Sequence, residues 1–242
     1  MSICEYIVFD DSTMNNIPLN IHTIIFSLAI EIKKGFLPIR LHTLRFGYYF
    51  NKEIKEGVLP LNLHTLIFGN YFDQEIKKGV LPLNLHTLVF GWEFNQEIKE
   101  GVLPNNLHTL IFGNNFNKEI KEGVLPFNLH TLQFGTRFNQ EIKEGVLPLN
   151  LHTLRFGIRF NKKVSLVKSI KEITLNSYNN IINNLGENIK IVKILFKDYY
   201  NENKKIINLP YTLEKIILED EKYKEYIEKI PFDCIIEIQK IE

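Results

Sequence analysis

The chain has 242 residues, 45% hydrophobic and 24% charged, which is enough to bury a sizeable core. Its 29 basic residues stand against 28 acidic ones, so it carries no electrostatic footprint for nucleic acid or for an anionic membrane surface. No apolar run approaches the ~18 residues of a membrane span, the start MSICEYIVFDD has acids where a secretory leader needs base, and Cys4 and Cys234 are too few for a disulfide framework. These features point to the reducing cytoplasm.

In chain order, Tyr6 to Phe9 fits a shortened first strand, inside an irregular N-terminal cap over residues 1–36. From there the Leu-Pro prolines fall at Pro38, Pro60, Pro82, Pro104, Pro126 and Pro148, a period of 22. The histidines keep the same period from His42 to His152, with His22 one shortened unit earlier. A typical unit, Leu63 to Asn84, reads LHTLIFGNYFDQEIKKGVLPLN. Regular units occupy 37–162. Over 163–242 a degenerate Leu-x-x-Leu-x-Phe skeleton recurs at Ile170-Ile173-Leu175, Ile191-Ile194-Phe196 and Leu213-Ile216-Leu218, and Ile235 to Ile238 makes a last strand. The whole chain, 1–242, therefore reads as one solenoid of about twelve coils of ~22 residues with atypical ends.

Each unit divides into parts with different physical work. HTLxF alternates with period 2 and predicts a short parallel strand on the concave face. The glycine after it (Gly47 and its equivalents) is expected to let the chain turn out of the strand. The following Asn or Asp, such as Asn51 or Asp73, can cap a short helical turn or bond the next coil. EIKEG predicts one such turn ended by Gly57, with like charges stacked between coils and opposite charges paired within each. Val-Leu-Pro then returns the chain in extended form, because the residue before proline avoids the helical region.

L-x-x-L-x-F matches the first half of a leucine-rich repeat, and FGxxFN followed by I-x-x-G-x-LP resembles the FNIP/FGxxLN repeat family of giant viruses and Dictyostelium-type amoebae. The resemblance is close over Leu37 to Asn161. It departs in two respects: a second phenylalanine stands where the family motif has leucine, and ordinary leucine-rich repeats place their Asn two positions earlier. It implies a leucine-rich-repeat solenoid, β-rich, with short turns on the convex face, and no single biochemical activity.

Two phenylalanine files are expected to stack in the core as a structural spine: Phe46, Phe68, Phe90, Phe112, Phe134 and Phe156, and then Phe50, Phe72, Phe94, Phe116, Phe138 and Phe160. His42, His64, His86, His108, His130 and His152 predict a structural ladder, because no Cys, Asp or Glu recurs in phase beside them to complete a metal shell. Acid should weaken such a ladder, since neighbouring imidazolium charges repel.

Positions that vary between copies are free of the coil's demands. On the strand they read Arg45, Ile67, Val89, Ile111, Gln133 and Arg155; after the glycine the informative ones are Tyr48, Tyr71, Trp92, Arg137 and Arg159. Apolar and aromatic anchors with arginine suit a protein interface. No phosphate loop, nucleophile elbow, HExxH or CxxC motif occurs, and no cofactor is implied. The reading is a non-catalytic scaffold that binds an unidentified protein partner through its concave face. Its terminal strands leave edges suited to a homodimer through the terminal repeats, and self-assembly through those ends is the alternative.

Overall fold

The computed structural model describes residues 5–8, 17–18, 20–27, 29–176, 180–196 and 205–239. Twelve short strands follow one another: Glu5–Val8 (β1), Thr23–Phe26 (β2), Thr43–Phe46 (β3), Thr65–Ile67 (β4), Thr87–Val89 (β5), Thr109–Ile111 (β6), Thr131–Gln133 (β7), Thr153–Arg155 (β8), Glu172–Asn176 (β9), Ile191–Leu195 (β10), Lys215–Leu218 (β11) and Ile235–Ile238 (β12). They form one sheet in strict chain order, every pair parallel, so each coil lies on the one before it. Phe9 and Cys4 lie outside the described residues. Among those described, no helix is long and apolar enough to cross a membrane.

A regular coil closes with three tight turns. In the unit from Leu63, Phe72 N–H donates to Gly69 C=O at 3.2 Å, Val80 N–H to Lys77 C=O at 3.2 Å, and Leu85 N–H to Pro82 C=O at 3.1 Å. The helical turn expected in EIKEG is absent. Ile76 must enter the core there, and Gly79 takes φ +87, the left-handed geometry of a tight turn rather than of a helix. The short helices described are two 3₁₀ segments in the irregular coils, Asn180–Asn184 and Glu221–Tyr226. Asn and Asp accordingly serve the neighbouring coil: Asn95 N–H donates to Asp73 Oδ1 at 2.8 Å, and Asn117 N–H to Asn95 Oδ1 at 2.9 Å.

The glycine after the strand has a reason other than the expected one. A Cβ on Gly113 would lie 1.7 Å from the carbonyl oxygen of Gly91 one coil below, so glycine is required for close backbone approach, not for freedom to turn. The charges also pair differently. Lys99 Nζ reaches Glu75 Oε1 at 2.6 Å and Lys121 reaches Glu97 at 2.7 Å, across coils rather than within them. Glu and Lys of one coil flank a buried isoleucine on extended backbone two residues apart, whereas the next coil lies only ~4.8 Å away.

The core repeats Leu107, Leu110, Phe112, Phe116, Ile120, Val124 and Leu125 from coil to coil, all buried. The two phenylalanine files fuse into one double column. Phe112 stacks on Phe116 within its coil at 3.8 Å between ring centres, and on Phe134 of the next coil at 5.5 Å. The column runs from Phe46–Phe50 to Phe156–Phe160, and Phe26 meets its lower end edge-on.

One degenerate coil has a different register from the predicted one. Val192 pairs with Ile173 and Ile194 with Leu175, so the buried skeleton is Ile189-Val192-Ile194, not Ile191-Ile194-Phe196. A shift of two residues preserves alternation, so periodicity cannot separate the two readings. Asn188 marks the true register: it stands one residue before core Ile189 and its Nδ2 donates to Ile170 C=O at 2.8 Å, just as Ser169, one residue before core Ile170, donates its hydroxyl to Leu151 C=O at 2.7 Å.

Candidate interaction surface

The residue between a core Leu and a core Phe must point away from the core. The register accordingly sets Arg45, Ile67, Val89, Ile111, Gln133 and Arg155 in one row on the sheet's solvent face. The same row continues through Thr174, Lys193, Ile217 and Glu237, which the regular repeats could not reveal. A groove of about 600 Å³ follows this face over the later coils. It holds two ion pairs, Arg155 Nη2 to Glu172 Oε1 at 2.8 Å and Lys215 Nζ to Glu237 Oε2 at 2.8 Å. Hydrogen bonds from Lys215 and Gln239 hold the Glu237 carboxyl below the usual carboxylate range. Thr174 lies buried between Arg155 and Lys193 in the row, its hydroxyl without a hydrogen-bond partner.

The variable pair after each glycine occupies the two central positions of the Gly-x-x-Phe turn. Asn114, Thr136 and Ile158, first members of their pairs, line the groove beside Gln133 and Arg155. Tyr48 and Trp92 hold that same first position, Trp92 with 52% of its surface exposed. Tyr71, Arg137 and Arg159 are second members, one residue further round the turn, so the predicted set divides between two neighbouring rows. Tyr48, Tyr49 and Tyr71 gather into a cluster with ring centres 5.0–5.5 Å apart.

From His64 to His152 the rings stack in near-parallel order, His86 on His108 at 5.1 Å and 6°, whereas His42 is tilted by 47° and 57° against its two neighbours. Over the same run, His64 to His152, each Nδ1 lies close to the carbonyl two residues before it, as in His86 to Asn84 at 2.7 Å; since a carbonyl only accepts, Nδ1 is the protonated donor there. Parallel rings keep their ring nitrogens side by side rather than converging on a point. Among the described residues no group of three or more His, Cys, Asp or Glu gathers as a ligand set.

A third row escaped the sequence reading: Ile39, Leu61, Leu83, Phe127 and Leu149, each after the proline of its coil, are exposed. The repeat unit shows this position as variable, and only its apolar filling in every regular coil but the one with Asn105 could have drawn attention to it.

The FNIP Repeat model matches residues 29–71, 72–115 and 116–158, more than half of the chain. The chain belongs to the FNIP repeat family. Each matched FNIP segment spans two of the coils described above, for instance β5 and β6. The solved structure of CroV588, described as a novel circular LRR protein, is similar over 92% of this chain with a TM-score of 0.58 and 30% identity. The FNIP chain spans 40% of the length of that protein. A comparison with curated proteins gives no match. The fold is thus a leucine-rich-repeat solenoid, built from FNIP coils.

Proposed function

We propose that this FNIP solenoid is a non-catalytic scaffold that holds a protein partner against the solvent face of its sheet. The carrying observation is that the residues facing outward there differ from coil to coil while the coil itself does not. Ile67, Val89 and Ile111 form an apolar stretch of the row, Trp92 stands exposed beside it, and Arg45 on one side and Gln133 and Arg155 on the other flank it. Such anchors suit a protein interface, and a stack of hydrogen-bonded coils presents them at little entropic cost. The setting consistent with the charge balance and the two cysteines is the cytoplasm, away from nucleic acid and membrane.

The test is capture of a partner by the wild-type chain beside a Trp92→Ala/Ile111→Glu variant. Loss of the partner with unchanged thermal unfolding supports the reading; a partner retained at full strength refutes it.

A second reading, a homodimer through the terminal repeats, is favoured by the far end of the sheet. β12 has a pairing partner on one side only among the described residues, and its Ile235 is 63% exposed. An Ile235→Lys variant that keeps the dimer would discard this reading.

A further inference from the structure

The exposed apolar row at the corner before the strand serves neither the coil nor the sheet face. Ile39, Leu61, Leu83, Phe127 and Leu149 are 61–73% exposed. Turn geometry does not ask for them, because Asn105 occupies the same place in the same kind of turn, with Leu107 N–H donating to Pro104 C=O at 3.0 Å. The row is also held at fixed spacing: Asn62, Asn84 and Asn106 each donate their side-chain amide to the carbonyl of the row residue one coil below, at 3.2, 3.1 and 3.0 Å. Beyond Leu149 the same turn position carries Lys168 and then Glu187, so charge separates the stripe from Tyr211 and Phe232, which hold that position in the last two coils.

We infer that this corner stripe is the contact surface for a second copy of the chain, the two stripes running antiparallel. At ~150–200 Å² per large apolar side chain, the five expose on the order of 500–700 Å². Summed across the polar break at Asn105, that is comparable to the largest apolar patch of an ordinary monomer and somewhat below the ~800 Å² each partner of a stable complex covers. Teeth set one per coil, with a gap at Asn105, fit best between the teeth of an identical comb shifted by half a coil. In a parallel pair that shift breaks the two-fold symmetry and makes the two copies' contacts unequal; in an antiparallel pair a two-fold axis contains it and the dimer is closed and isologous. The strip between Leu61 and Leu149 carries no formally charged residue at the Pro-x-Asn corner, so two copies meet without like-charge repulsion. This surface is distinct from the sheet face and from the solenoid ends, and the inference stands without either reading above.

The test is the mass in solution of the full chain, by sedimentation or light scattering, beside a Leu61→Asn/Leu83→Asn/Phe127→Asn/Leu149→Asn variant. Asparagine is chosen because the corner already accepts it at Asn105, so the variant should unfold at the wild-type temperature. The expected result is twice the chain mass for wild type and for Ile235→Lys, and the single-chain mass for the corner variant. A monomeric wild type, a corner variant that stays dimeric, or dissociation by Ile235→Lys alone would each overturn the inference.

Discussion

Replacing Phe112 by alanine removes a ring from the middle of the aromatic column. The ring is 2% exposed and stacks on Phe116 at 3.8 Å, on Phe134 at 5.5 Å and on Phe90 at 5.6 Å. Truncating a buried Phe costs ~3–5 kcal/mol through lost transfer energy and the cavity left behind. Three lost ring contacts, each adding ~0.5–1.5 kcal/mol beyond area, place this site at the upper end, about 4–5 kcal/mol. The hole lies in the coil of β6, so it weakens both of that coil's interfaces, and in a solenoid stability is a sum of such neighbour terms. For a chain of this size the cost corresponds to a fall of about 8–20 °C in Tm, with a broadened or split transition. Thermal unfolding followed by circular dichroism reads it, with Phe232→Ala (90% exposed) as a control that should not move. A Tm for Phe112→Ala within ~2 °C of wild type, below the shift ~1 kcal/mol would give, would refute the column as a source of stability.

Other outcomes follow from the geometry. Gly113→Ala should destabilise more than Gly35→Ala: the first drives a methyl to 1.7 Å from Gly91 O, the second meets nothing within 4 Å and costs only its left-handed φ of +80, ~1–2 kcal/mol. The reverse order in denaturant melts would contradict close coil approach. The carboxyls of Glu75, Glu97 and Glu119 are held below their ordinary value of 4.5, chiefly by hydrogen bonds from Lys99, Lys121 and Lys143. Their contribution is therefore fully present above that value and lost as pH falls through the lower folded one. The lysines, raised above 10.5 by the same bonds, lose theirs as pH rises through the raised value. Tm against pH in low and high salt checks both limbs; limbs that salt leaves unchanged would rule out the inter-coil pairs.

Much of this protein could be read from the chain alone. A 22-residue period with Leu, Leu and Phe in alternation assigns the strand, its buried side and its parallel stacking, because the repeat forces every coil into one shape and period 2 assigns each residue a face. The row from Arg45 to Arg155 followed from the same alternation. What sequence could not supply were the contacts between residues one period apart, since a local pattern does not show distance across coils. Only the stacked coils reveal that Gly113 is needed against the Gly91 carbonyl, that Lys99 reaches back to Glu75, and that Phe112 and Phe116 join in one column. The coil at Ile189-Val192-Ile194 was misplaced by two residues because alternation is blind to an even shift, and the cross-coil bond of Asn188 settles it. The exposed corner from Ile39 to Leu149 likewise belongs to tertiary structure: a hydrophobic residue in a repeat reads as core until the turn that carries it is seen to face solvent.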